Sequence, residues 1–98
     1  MTSAKKPHQA GWMIRALKEY QDSLISLEAL ISNIEHSLEI IQDQDLKDSI
    51  FDALLALEEI YAHTRIGDFD FEKHGRHVVD RAVREILMKV ERYSSDSG

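Results

Sequence analysis

Cysteine is absent from this chain, proline and tryptophan occur once each, and only four of the 98 residues are glycine. With no cysteine there is no disulfide, no thiol nucleophile and no cysteine-ligated zinc. Pro7 and Gly98 sit near the two ends, which leaves Gly11, Gly67 and Gly75 to interrupt the rest. No run of alternating β-branched and polar residues is bounded by a tight turn, so strand-built folds are excluded. No stretch approaches the roughly 20 apolar residues that a membrane helix needs. The opening MTSAKKPHQAGWMIRAL has lysines but no apolar segment of signal-peptide length. The expectation is a cytoplasmic protein with no membrane association.

What is present is helical periodicity. A hydrophobic content of 43% with 31% charged residues is that of a globular chain, and 98 residues suffice for one core. Residues 1–10 read as a flexible leader, 11–93 as a single helical domain and 94–98 as a disordered tail. A first helix is predicted from about Trp12 to Asp22, with Met13, Leu17, Tyr20 and Leu24 on one face. Trp12 lies off that face and is either a cap on the bundle end, the commoner outcome, or an exposed contact.

Ser26 is the natural N-cap of a second helix, whose stripe is Leu27, Leu30, Ile31, Ile34, Leu38 and Ile41. Asp43 or Asp45 caps a third, carrying Leu46, Ile50, Leu54, Leu57, Ile60 and Tyr61 and stopping at Gly67. Asp68 or Asp70 opens the last helix, which buries Val79, Val83, Ile86, Leu87 and Val90 and runs to about Tyr93. Short links between amphipathic helices predict an all-α fold, a compact antiparallel four-helix bundle.

The net charge of −6 hides a sharper division. Residues 1–18 carry +4, residues 19–59 carry −10, and residues 60–98 are neutral. At about 100° per residue, Asp45, Asp48, Asp52 and Glu59 fall in one sector opposite the core stripe of the third helix, with Phe51 and Leu55 beside it. Glu28, Glu35 and Glu39 gather on one flank of the second, and Glu58 falls nearer the core boundary. Like charges four apart, such as Asp48 and Asp52, cost roughly 0.2–0.5 kcal/mol each. The last helix instead offers opposite-sign pairs four apart: Asp80 with Arg84, Arg81 with Glu85, and Glu85 with Lys89. Large apolar groups rimmed by one sign of charge have the composition of a binding patch.

Catalytic and cofactor chemistry finds little footing. Glu72, His74 and His77 cluster but lack further ligand spacing for a metal. DFDFE opens like a calcium loop, but Lys73 replaces the required glycine and Val79 the closing glutamate. The serines lack a glycine-framed elbow, and no glycine loop could cradle phosphate. Arg76, Arg81, Arg84 and Arg92 form a modest basic face without interleaved aromatics, while the acidic middle would repel nucleic acid. A non-enzymatic protein without cofactor or metal is expected.

ISLEALISNIEHSL followed by LLALEEIYA resembles a group of short acidic bacterial helical proteins over about residues 14–93. Many of these carry a tryptophan upstream of the LEEIYA run, where this chain has Phe51 or Leu54. Such proteins resemble the immunity proteins of contact-dependent inhibition, colicin and related polymorphic toxin systems. The resemblance implies a protein that binds a basic toxin domain, a nuclease above all. The residues expected to meet it are Glu28, Glu35, Glu39, Asp45, Asp48, Phe51, Asp52, Leu55 and Glu59. The alternative is a homodimerising adaptor without a toxin-neutralising role, and the chain is expected as a monomer or weak homodimer.

Overall fold

Each boundary between successive helices is set by an identifiable backbone device. The computed structural model describes residues 5–67 and 70–97. Helix α1 spans Lys5–Gln21, α2 Leu27–Ile41, α3 Gln44–Ile66 and α4 Arg76–Ser97, with a π-helical turn at Phe71–Gly75 leading into α4. Ser26 caps α2 by accepting from the Ala29 amide at 3.1 Å, and Asp43 caps α3 by accepting from Leu46 at 3.0 Å. Asp70 accepts from the Lys73 amide at 3.2 Å and so starts the π turn. Asp68 lies outside the described residues.

The α1–α2 loop closes through the Leu24 amide donating to the Glu19 carbonyl at 2.8 Å, with Ser23 in the left-handed region at φ 63°. Gln42, at φ 55°, ends α2, and Gly67, at φ +90°, ends α3. Only glycine takes that last angle without steric cost.

The helices form a ring in which α1 packs on α2 and α4, and α3 packs chiefly on α4. The α2–α3 seam is the lightest of the four contacts. Among the described residues there is no strand, and the architecture is the expected all-α bundle. Met13, Leu17, Leu30, Ile34, Ile50, Leu57, Val79, Val83, Ile86 and Val90 are its fully buried centre. At about 1.5–3 kcal/mol per side chain, their burial is the main source of stability.

Several expectations are corrected. The leader reading fails for residues 5–10: α1 begins at Lys5, and Ala10 is completely buried. Pro7 does not prevent this, because the first-turn amides of a helix have no intrahelical partner in any case. Residues 1–4 lie outside the described set. Residues 94–97, read as tail, are likewise helical, since α4 continues through Ser97, and Gly98 lies outside the described residues. Leu24 leaves the core face because its helix has already ended, and it is 70% exposed. Ala53, Ala82 and Ser37 are buried without having been expected there.

Candidate functional site

Helix α3 occupies a corner of the ring, and this divides the acidic sector. Its apolar side, Leu46, Ile50, Ala53 and Leu57, faces inward. One outer flank turns toward α4, the other toward α2. Asp52 lies on the α4 side, in a groove it shares with Ala56, Val78, Arg81 and Glu85. Asp45 and Glu59 are seven residues either side of Asp52 and therefore share its line. Phe51, Leu55 and Glu58 turn the other way, toward the glutamate flank of α2, with Asp48 at the crest between the two lines.

Glu28 and Glu35 thus face Tyr61 and Glu58 across the α2–α3 seam, and helical phase sets Glu39, Phe51 and Leu55 on the same side, with Asp48 at its edge. Asp45, Asp52 and Glu59 border the α3–α4 face instead. The single acidic sector read from the sequence spans two surfaces, because a corner helix presents its outward arc to both.

All nine candidate residues are exposed. Phe51 is 59% and Leu55 40% accessible. Among the described side chains, which leave out those of residues 5–9, no lysine or arginine comes within 4.0 Å of any of the seven candidate carboxylates. Neutral partners hold some of them. Asp48 accepts from Gln44 Nε2 at 2.8 Å. Glu39 lies 4.0 Å from His36 Nδ1, an attraction only when that imidazole is protonated. The Tyr61 hydroxyl stands across the seam from Glu28, near enough to donate a hydrogen bond to it. Burial, and then this bond, raise the Tyr61 pKa and keep the phenol neutral, while the Arg65 guanidinium lies over its ring at 5.8 Å.

The central feature of the α2–α3 face was not foreseen. Glu58 stands across the seam from Glu35, near enough to donate a hydrogen bond to it when protonated. That bond first, then partial burial and the Glu35 charge, push the Glu58 pKa up to about 7. A proton kept on Glu58 stands between two carboxyl groups whose adjacent charges would otherwise repel. Helical phase had placed Glu58 at the core boundary, where it is indeed half-buried, but it could not supply the partner across the seam.

Elsewhere the chemistry is modest. A concavity of about 190 Å³ at one bundle end is walled by Tyr20, Phe71, Arg76 and Asp80. Burial, and then the Asp80 charge, raise the Tyr20 pKa. Glu72 engages Arg76 at 3.1 Å, so one member of the Glu72, His74, His77 cluster is already occupied. Among the described residues, no group of three histidine or carboxylate side chains is placed to hold a metal ion, and no helix is long and apolar enough to cross a membrane. Trp12 is half exposed beside Arg15, Glu19 and Asn33 on the α1–α2 side, rather than closing the end of the bundle.

No protein-family model matches this chain, and no curated protein or solved structure matches it either. The site must therefore be read from its own geometry.

Proposed function

We propose that this chain is an immunity protein that binds and blocks the basic catalytic domain of a toxin, a nuclease above all, in the cytoplasm of the cell that makes both. The carrying observation is the exposure of Phe51 and Leu55 among carboxylates without a lysine or arginine partner among the described residues. Leaving large apolar side chains in water forgoes about 25 cal/mol per Å². Keeping them beside Glu35, Glu39 and Asp48 suits a partner that offers both apolar surface and cations. A nuclease cleft has that character, because it must hold phosphate. Carboxylates ranged along a helix pair occupy such a cleft in place of the substrate's phosphates, and their field speeds the encounter. In this reading Glu35, Glu39 and Asp48 supply charge, Phe51 and Leu55 supply the apolar anchor, Glu28 borders the contact, and Asp45, Asp52 and Glu59, on the adjoining face, add only to the long-range field.

The test is titration calorimetry against a basic nuclease toxin domain, taken first from any large secreted protein found to be encoded beside this chain. A tight complex is expected at about 50 mM salt, weakening at about 500 mM, where the Debye length has shrunk severalfold. Glu39→Lys with Asp48→Lys should weaken it roughly tenfold or more. A complex indifferent to salt and to both substitutions would overturn the electrostatic reading, and no complex at all would overturn the function.

A further inference from the structure

The α3–α4 face carries a charge pattern of a different kind. Its α3 edge is acidic, with Asp45 and Asp52 exposed. Its α4 edge is basic, with Arg81 and Arg92 exposed. Between the two arginines, Glu85 and Lys89 cancel each other at 3.3 Å, and Lys89 also donates to the Ser49 carbonyl. The expected pairs of Arg81 with Glu85 and Arg84 with Asp80 do not form within 4.0 Å. Among the described residues Arg81 and Arg92 have no ion-pair partner. Met88, 54% exposed, lies between them on the outer side of α4.

The heights of these charges match. Asp52 and Arg81 line one concavity of the groove, about 230 Å³. Leu46, the neighbour of Asp45, lines a second of about 280 Å³ with Arg92. A two-fold axis along the groove, parallel to both helices, leaves each residue at its own height and exchanges the two edges. It sets the acidic edge of one copy on the basic edge of the other, twice, with Asp52 opposite Arg81 and Asp45 opposite Arg92. A two-fold axis across the helices would instead set acid on acid. The area is adequate as well. The 23-residue α3 is about 34 Å long, and two helices side by side are about 20 Å wide, so each copy offers roughly 700 Å². A standard interface uses about 800 Å² per partner.

We infer that the α3–α4 face is a self-complementary interface through which two copies of this chain form a closed, two-fold symmetric dimer. The contact is isologous, so it ends at two copies and does not propagate. It leaves the α2–α3 face with Phe51 uncovered, so it stands whether or not that face binds a toxin.

Sedimentation equilibrium of the full chain, up to about 1 mM, tests the inference. A dimer is expected at about 50 mM salt, dissociating toward monomer at about 500 mM. Asp45→Lys with Asp52→Lys should be monomeric, and so should Arg81→Glu with Arg92→Glu, because each makes both edges alike. Mixing the two variants in equal amounts should restore a one-to-one dimer, and Phe51→Gln should dimerise like the unaltered chain. Circular dichroism separates lost association from lost folding. An unaltered chain that stays monomeric at low salt overturns the inference. So does a mixture of folded variants that fails to associate, or a dimer abolished by Phe51→Gln.

Discussion

Glu58 keeps a raised pKa beside Glu35 across the α2–α3 seam, the most lightly packed contact of the ring. The Glu58 pKa of about 7 stands well above its ordinary value of 4.5. Below about pH 4.5 folded and unfolded chains both carry the Glu58 proton, and its hydrogen bond to Glu35 contributes fully. Between about 4.5 and 7 the unfolded chain releases it while the folded chain retains it, so stability falls as pH rises through this window. Glu58→Gln supplies an amide donor to Glu35 that never ionises. It should abolish this part of the slope and leave the chain more stable above pH 7, by no more than about 1 kcal/mol because the pair is open to solvent. Urea unfolding at about pH 5 and pH 8 measures it, and a variant with the slope of the unaltered chain would rule the raised pKa out.

Neighbours in sequence have opposite duties on α3. Ile50 is fully buried and Phe51 is 59% exposed. Ile50→Ala should cost about 2–5 kcal/mol through lost burial and the cavity left behind. Phe51→Gln should change stability by no more than about 0.5 kcal/mol while weakening the proposed complex. Denaturant midpoints for the two variants provide the comparison. A large loss from Phe51→Gln would mean that this ring supports the fold rather than a partner.

Two glycines should respond to alanine with opposite sign. Gly11 lies inside α1 with nothing within 4 Å of the position a Cβ would take. Gly11→Ala should therefore stabilise by about 0.4–1 kcal/mol, by restricting the unfolded chain. Gly67 sits at φ +90°, where a Cβ is strained, and Gly67→Ala should destabilise by about 1 kcal/mol. Thermal unfolding of the pair is the check, and equal shifts in one direction would contradict the helix boundaries.

The contrast between what was legible and what was not follows from the range of the forces involved. Ser26, Asp43, Asp70 and Gly67 cap or stop helices through bonds and angles within a few residues, so the sequence displays them directly. The stripe from Leu30 to Ile41 is equally local, because one periodicity fixes which side turns inward. The ends were misjudged because polar composition around Pro7 and after Tyr93 resembles fraying, although both segments extend long helices whose inner turns are packed. Ala53 and Ala82 were missed because size, not hydrophobicity, lets α3 and α4 approach closely. The division of the acidic sector was invisible for another reason: helical phase tells which carboxylates point outward, but not which neighbour stands on either side. Register across the seam was hidden too. Equal counting from the link at Gln42 and Asp43 sets Glu35 opposite Ile50, whereas its partner is Glu58, two turns further along α3.

The Glu58 proton also bears on the proposed complex. A lysine or arginine of the toxin domain set beside Glu35 and Glu58 would favour both carboxylates and drive the Glu58 pKa back down. At about pH 6 the free chain carries this proton and the complex does not, so binding releases it and the complex tightens as pH rises toward about 8. Glu58→Gln removes the group that releases the proton, so its affinity should vary less over that range. Calorimetry at about pH 6.5 in two buffers of different ionisation enthalpy counts the protons exchanged. Release should approach one per complex for the unaltered chain and fall toward zero for Glu58→Gln. Equal proton counts for the two would place the toxin's cations away from this pair, and the α2–α3 seam would lose its part in recognition.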